Sequence, residues 1–316
     1  MLALLSNASK LPRMNWAVIL CSSKYFLNYR HLTNALSIYT ILKDRGMSDD
    51  NIIFMNSMDL SSDPRHSEFG SIFDSFYDAN SFETTLGNNK KSNSTYEFTN
   101  LYKGAQFDYV GDDVNVHSFI HLLTQRYSKF TPWYQRLRSE KTSNILLFMS
   151  GHGGEEFFKF QDQDDLTANQ LGQILNEMDT KHLYNRILLL VDTCKSETFL
   201  SQVKAKNIII ISSSASTENS YAHSINTALG VSLIDRFALS ILRFFERTGD
   251  AYLHDSDKDK NIHSRPSQRS LSLQSLIDSF DIRFLQSTVV VRQTLDRTSQ
   301  SVRSLSDIPL SDFFGP

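Results

Sequence analysis

Residues 144–154 read NILLFMSGHGG and residues 186–194 read RILLLVDTC, two apolar runs that each end on a reactive side chain. Short apolar runs without alternation, bounded by turn residues, are typical of strands buried on both faces of a parallel sheet. Between these runs apolar residues recur at helical spacing, and Thr167 with Gln170 predicts a capping box at the helix start. The pattern therefore predicts a strand, a helix and a second parallel strand joined by a right-handed crossover.

This crossover brings two reactive side chains to one place. The carboxyl ends of both strands lie at the same sheet edge, where α/β sheets bind ligands, so His152 and Cys194 should face each other. An imidazole beside a thiol makes the thiol a competent nucleophile, and the N–H groups of Gly153 and Cys194 could bind an oxyanion. The alternative is a buried core thiol and a turn histidine. Their placement at two strand ends of one crossover favours the catalytic interpretation.

The same motif carries a family resemblance. Residues 143–154 (SNILLFMSGHGG), 158–162 (FKFQD) and 191–194 (VDTC) resemble the catalytic subunits of glycosylphosphatidylinositol (GPI) transamidases. These subunits are legumain-like, caspase-fold cysteine peptidases. The similarity extends to residues 15–18 (NWAV), 26–31 (FLNYRH) and 312–315 (DFFG). It implies a caspase-like three-layer α/β sandwich, with a mainly parallel sheet of about six strands and helices on both faces.

The resemblance also implies a reaction. Cys194 would attack a carbonyl near the carboxyl end of a precursor protein and release its signal propeptide, leaving a thioester. The ethanolamine phosphate amine of a GPI lipid would then resolve that thioester. Two alternatives stay open from the sequence: a legumain-type cysteine endopeptidase with the same dyad, and a catalytically silent binding subunit of the same fold.

Further site residues follow from the other matching segments. A helix is predicted from about Tyr29 to Arg45, and Asn28 at its start is either a helix cap or, as the resemblance implies, the third catalytic residue that orients the histidine. Arg30 lies on the same sheet edge and is a candidate substrate contact. Ser213 and Ser214 follow a predicted strand at 207–211 and either border a specificity pocket or form a solvated turn.

A calcium site is the one metal site that the resemblance suggests. The family run that supplies carboxylates to this site stands here as GDDVNVH at 111–117, with Asn115 and His117 in place of acidic residues. Asp49 could be another ligand. Calcium prefers several hard oxygen ligands, so we expect this site to be weak or absent and no cofactor to be required.

Composition and length bound the remaining possibilities. A chain of 316 residues suffices for one large domain, predicted here at 15–316 after an N-terminal tail at 1–14, with a long insertion at about 67–107. A further strand is predicted at 51–55, helices at 231–247 and within 271–285, and an edge strand at 288–291. The net charge of −3 gives no reason to expect a nucleic acid or an acidic membrane surface as partner.

Cysteine usage and hydropathy bear on partners and location. Cys21 and Cys194 are too few for a disulfide framework, and Ser62 stands where relatives carry a cysteine linked to a partner subunit. Association with other transamidase subunits is therefore expected to be non-covalent. No apolar run approaches the ~20 residues that span a bilayer. We expect a lumenal endoplasmic reticulum location, with membrane association through partners.

Overall fold

The computed structural model describes residues 14–66, 68–74, 100–223, 225–248, 271–294 and 304–315. Within these ranges the strands are β1 (Trp16–Cys21), β2 (Ile52–Asn56), β3 (Tyr109–Val110), β4 (Asn144–Ser150), β5 (Gly153–Gly154), β6 (Phe157–Phe160), β7 (Asp164–Thr167), β8 (Arg186–Asp192), β9 (Ile208–Ser212), β10 (Ile225–Asn226), β11 (Val231–Ser232) and β12 (Val290–Thr294). The α-helices are α1 (Tyr29–Asp44), α2 (Val116–Leu123), α3 (Ala168–Thr180), α4 (Ser196–Phe199), α5 (Arg236–Arg247), α6 (Leu273–Ile277) and α7 (Ile282–Leu285).

The main sheet has seven strands among the described residues, in the order β12-β9-β8-β4-β1-β2-β3. All neighbouring pairs are parallel except β12 with β9, which is antiparallel at one edge. The predicted mainly parallel sheet is therefore confirmed. The strand beyond the predicted six is β3, whose two residues are too few to show any hydrophobic period.

Alternate residues of the central strands face two apolar layers. In β1, Ala17 and Ile19 belong to the core that α1 and α5 cover, whereas Val18 and Leu20 belong to the core that α2 and α3 cover. All seven residues of β4 are buried, which explains why its sequence lacks polar alternation. Helix α3 begins with the predicted capping box between Thr167 and Gln170. The three-layer α/β arrangement is thus confirmed.

The carboxyl-terminal third differs from the prediction in detail. Helix α5 begins at Arg236 rather than at 231, because Val231 and Ser232 pair with β10 as a short antiparallel ladder. The helix predicted within 271–285 is two short helices, α6 and α7. The edge strand is present as β12, two residues further along than predicted.

Several predicted features fall partly or wholly outside the described residues. They are most of the N-terminal tail at 1–14 and the centre of the predicted insertion, residues 75–99. Of the helices in the described ranges, none has both the length and the apolar character needed to cross a bilayer.

Candidate active site

The loops that follow β4 and β8 lie side by side at the carboxyl edge of the sheet. The last residues of these strands, Ser150 and Asp192, are directly paired, and the N–H of Gly151 donates to the Asp192 carbonyl at 3.4 Å. His152 and Cys194 each follow two residues beyond this pair. The structure therefore brings both predicted reactive side chains to the same edge.

Asn28 holds the His152 ring through its side-chain amide. The Asn28 Nδ2 donates to the Lys24 carbonyl at 2.6 Å, and its Oδ1 lies 2.7 Å from His152 Nε2. A carbonyl oxygen can only accept, so the amide orientation is fixed and Oδ1 must accept from a protonated Nε2. This leaves Nδ1 of a neutral His152 as the basic nitrogen. Although Asn28 occupies the N-cap position of α1, its side chain makes no capping hydrogen bond.

A second histidine supports the first. The ring of His31 meets that of His152 edge-on, with centroids 4.9 Å apart, and His31 Nδ1 lies 2.8 Å from Ser23 Oγ. Burial lowers the pKa of His31 well below its ordinary value, so its ring stays neutral. Burial also lowers the pKa of His152, and the nearby Arg30 guanidinium lowers it further. Both imidazoles are therefore neutral at pH 7.

Cys194 is half-buried, and its thiol donates to the Ser220 carbonyl at 3.9 Å. Burial raises the pKa of Cys194 above its ordinary value, and the Asp192 and Asp235 carboxyls contribute in the same direction. The resting side chain is therefore a neutral thiol at pH 7. The next residue, Lys195, adopts a left-handed conformation with φ 51°, which turns the chain sharply after the cysteine.

Ser213 and Ser214 do not line the crevice through their hydroxyls, nor do they form a solvated turn. Both side chains are fully buried. Ser213 Oγ accepts from the Thr193 N–H at 3.2 Å, while Ser214 Oγ donates to the Thr193 carbonyl at 2.8 Å and accepts from the Ser196 N–H at 3.1 Å. These hydroxyls fix the backbone on both sides of Cys194, which is a supporting role rather than a substrate contact.

Gly153 lies against the loop that carries the cysteine. A Cβ at this position would lie 2.5 Å from Thr193 Oγ1 and 2.9 Å from the Phe157 carbonyl. Only glycine therefore allows β5 to approach the β8 loop this closely. Among the described residues, the Cys194 N–H donates no hydrogen bond, so it is available to a substrate oxygen.

Buried carboxyls beneath the site were not anticipated from the sequence. Asp235 pairs with Arg30 Nε at 3.1 Å and accepts from Asn34 Nδ2 at 2.6 Å. Asp192 accepts from Ser220 Oγ at 2.6 Å, and burial together with the Asp235 carboxyl raises the pKa of Asp192 to about 7. Arg30, predicted as a substrate contact, thus already has an ionic partner within the site. Asp192 belongs to the VDTC motif, but no local signal marks Asp235.

The two predicted metal ligands do not form a site. Asp49 precedes β2, whereas Asn115 follows β3, and these strands are parallel, so the residues lie at opposite sheet edges. The Asp49 carboxylate accepts from Tyr39 at 2.6 Å and from Lys43 at 2.7 Å. Asn115 caps α2 by accepting from the Ser118 N–H at 2.8 Å. Each side chain therefore has a structural role that explains it without a metal.

Sequence comparison identifies the family. The sequence model of the peptidase C13 family matches residues 15–256. The chain belongs to the peptidase C13 family. Among curated members, it is 35% identical to the GPI-anchor transamidase of Saccharomyces cerevisiae over 95% of this chain and 63% of that protein. The GPI-anchor transamidase of Schizosaccharomyces pombe is 34% identical over 95% of this chain and 69% of its own length.

The human GPI-anchor transamidase is 33% identical over 75% of this chain and 55% of its own length. The chain thus spans between about half and two thirds of these C13 relatives. Among solved structures, caspase-1 from Spodoptera frugiperda superimposes with a TM-score of 0.47 at 9% identity, covering 91% of each chain. The family predicted from the SGHGG and VDTC segments is confirmed by the C13 match and by these relatives.

Proposed function

We propose that the chain is the catalytic part of a GPI-anchor transamidase, with Cys194 as nucleophile, His152 as base and Asn28 as its positioning residue. The observation that carries this proposal is the fixed amide of Asn28 facing His152 at 2.7 Å, on the same sheet edge as Cys194. The names of the C13 relatives supply the reaction class.

In the first step, the Cys194 Sγ attacks the carbonyl carbon of the precursor while His152 Nδ1 takes the thiol proton. The raised pKa of the thiol and the lowered pKa of the imidazole both favour the neutral pair at rest. Proton transfer therefore accompanies attack instead of preceding it. The carbonyl oxygen gains the negative charge, and the N–H groups of Gly153 and Cys194 would stabilise it.

In the second step, the tetrahedral intermediate collapses and the C–N bond breaks. The imidazolium of His152 returns its proton to the departing amine of the propeptide, leaving a thioester on Cys194. The amine of the GPI ethanolamine phosphate then attacks that thioester and gives up a proton to His152. The C–S bond breaks as the new amide forms, and His152 returns the proton to the Cys194 sulfur. Every step is assigned to a protein group, so we propose no cofactor.

An endopeptidase would share the first half of this reaction and differ in the acceptor. The test uses a fluorogenic peptide ending in small residues, with water alone or with hydroxylamine as amine acceptor. A transamidase should give the hydroxamate in preference to the free acid, whereas predominant acid would identify a peptidase. No reaction in either case, with Cys194 inert to a peptide warhead, would identify a silent binding subunit.

Matched variants assign the residues. Cys194→Ala and His152→Ala should each abolish the product, and the double variant should lose no more than either one, because both act in one unit. Cys21→Ala is the control for thiol chemistry, since Cys21 is buried in β1 and burial raises its pKa to about 12. Near-normal turnover by either dyad variant would refute the assignment.

We propose further that the chain works in the endoplasmic reticulum lumen within a membrane complex that it joins non-covalently. Ser62, where the family resemblance implies a linking cysteine, donates to Asp59 at 3.3 Å. Cys21 is buried and Cys194 is the half-buried cysteine of the candidate site, so neither is placed for a disulfide to a partner subunit. On non-reducing electrophoresis of the isolated complex, the chain should migrate alone. A larger band that reductant collapses would contradict this.

A further inference from the structure

Residues 126–138, RYSKFTPWYQRLR, form a surface segment that we call the aromatic loop. Three of its large aromatic side chains are exposed to an unusual extent: Phe130 by 81%, Trp133 by 57% and Tyr134 by 50%. The rings of Trp133 and Tyr134 lie edge-on with centroids 6.2 Å apart. Exposed apolar groups clustered within five residues mark a contact surface rather than scattered surface residues.

The loop is held in place by its own polar contacts. The Arg138 guanidinium lies over the rings of both Trp16 and Trp133, 5.4 Å from each centroid. Tyr127 donates to the Leu137 carbonyl at 3.0 Å. Gln135 donates to the Asp108 carbonyl at 2.6 Å. The aromatic rings are therefore presented by an ordered segment and not by a loose one.

The charges of the loop are all positive. Its cations are Arg126, Lys129, Arg136 and Arg138, and it contains no carboxylate. Of these, Arg126 pairs with Glu177 of α3. The Lys129 ammonium lies over the exposed Phe130 ring, 4.9 Å from its centroid, in a cation–π contact.

We propose that the aromatic loop is a peripheral docking surface for a bilayer containing anionic phospholipid. Tryptophan and tyrosine rings favour the headgroup region, and flanking lysine and arginine are attracted to anionic headgroups. Aromatic residues and arginine are common in protein–protein interfaces as well, but lysine is depleted there. The loop combines Lys129 with three arginines and no carboxylate, and this charge of one sign favours an anionic lipid surface as the occupant.

The end of the loop that carries Trp133 and Arg138 lies at the sheet edge opposite the candidate dyad. Arg138 contacts Trp16, the first residue of β1, and donates to the carbonyl of Asp50, which precedes β2. The parallel strand β4 has seven residues, so about 23 Å separates the two edges at ~3.3 Å per residue. With the strands upright on a bilayer that the loop touches, Cys194 would lie roughly 25 Å above it.

This height suits the proposed substrate. Only this step of the inference rests on the proposed function. A carboxyl-terminal attachment signal has a polar spacer of ~8–12 residues before its apolar tail. Extended, such a spacer spans roughly 26–40 Å. The cleavage site could thus reach Cys194 while the tail stays in the bilayer.

The chain carries its own reporter for the test. Of its two tryptophans, Trp16 is 1% exposed and Trp133 lies in the loop. Vesicles of phosphatidylcholine with about 30 mol% phosphatidylserine should shift Trp133 fluorescence to shorter wavelength, and brominated lipid should quench it. Phe130→Ser/Tyr134→Ser keeps the reporter and should weaken binding at least about tenfold.

The control replaces two apolar residues of comparable exposure elsewhere, Ile225→Ser/Ile282→Ser, and should bind vesicles like the unmodified chain. Absence of quenching by brominated lipid, or an equal loss in the control, would overturn the proposal. If the loop variant bound vesicles normally but lost a protein subunit of its complex, the surface would be a protein interface and the lipid assignment would be wrong. Cys194→Ala should bind vesicles normally. Vesicle binding can therefore be measured whether or not the chain proves to be a transamidase.

Discussion

Replacing Asn28 with aspartate tests the central contact of the candidate site. The substitution puts a carboxylate where the amide oxygen now accepts from His152 Nε2 at 2.7 Å. Two unit charges ~4 Å apart at an effective dielectric constant of ~20 interact by about 4 kcal/mol, equivalent to roughly three pKa units. The Arg30 guanidinium and the Lys24 carbonyl beside the new carboxylate reduce this gain. We expect Asn28→Asp to raise the pKa of His152 by about one to three units.

The direction of the effect on activity follows from the role of the imidazole. Burial and Arg30 hold the pKa of His152 below its ordinary value, so the neutral base is present at pH 7. Raising that pKa protonates the base over a wider range, and the acid limb of the pH–rate profile should move to higher pH. Turnover of Asn28→Asp should consequently recover at alkaline pH.

The pKa is measured directly from the ¹³C-labelled histidine resonances. The chain has nine histidines, and the His152 signal is assigned by its absence from His152→Asn. Asn28→Ala removes a neutral hydrogen bond of about 0.5–1.5 kcal/mol and should slow turnover roughly two- to tenfold. The matched control is Asn115→Ala, which removes a helix cap and lowers stability by about 1 kcal/mol without touching the site.

The reasoning would be refuted by a His152 pKa that is the same in Asn28→Asp and in the unmodified chain. It would fail equally if Asn115→Ala slowed turnover as much as Asn28→Ala, because the effect would then reflect stability and not the contact.

Two further predictions concern the loop that carries the cysteine. Gly153→Ala should abolish turnover while the chain stays folded, because its Cβ would clash with Thr193 Oγ1 and the Phe157 carbonyl; normal kinetics would show that this approach is not needed. Asp192→Asn should speed alkylation of Cys194 by iodoacetamide at pH 8.5. The Asp192 carboxyl, with its pKa of about 7, is ionised at that pH and raises the pKa of the thiol. At pH 6 the carboxyl is protonated, so the two rates should converge; a pH-independent difference would contradict the electrostatic explanation.

The sequence predicts the central strands well because their burial on both faces produces continuous apolar runs. Strands β4 and β8 are covered on both faces, so residues 145–149 and 187–191 are all apolar, and the reactive residue lies two positions beyond each strand end. The topology then places the two residues, since a right-handed crossover requires the carboxyl ends of both parallel strands to lie at one sheet edge. His152 and Cys194 could be brought together on this basis without any knowledge of distant contacts.

Polar residues at strand ends were harder to interpret. Ser213 and Ser214 follow β9, where a hydroxyl could equally face solvent, substrate or backbone, and only the position of the Thr193 peptide decides among these. Asp49 and Asn115 are candidate ligands of a calcium site that the sequence predicts to be weak or absent. The structure places these two residues at opposite sheet edges, which local sequence does not report.

Polar contacts between residues far apart in the chain could not be predicted from local sequence patterns. Asn34 and Asp235 form a buried hydrogen bond across 201 residues of sequence, and neither belongs to a motif. The start of α5 shows the same limit. The apolar spacing from 231 onward fits a helix, but pairing with β10 keeps Val231 and Ser232 in a strand.

Two buried carboxyls near Cys194 oppose the ionisation that activates a cysteine, and the Arg30 guanidinium favours it less strongly. Thiols of low pKa lie beside cations or long helix N-termini, whereas here the buried Asp192 and Asp235 carboxyls oppose ionisation and α4 has only four residues. In the proposed mechanism a thiolate forms only when His152 takes the proton, with a carbonyl in place to receive the sulfur. Asn28 accepts from His152 Nε2 and so leaves Nδ1 as the basic nitrogen. The Asn28 amide cannot turn over, because its Nδ2 donates to the Lys24 carbonyl. The arrangement couples ionisation of the nucleophile to the presence of substrate, so the free thiol should react slowly with small electrophiles and faster with a peptide warhead that occupies the site.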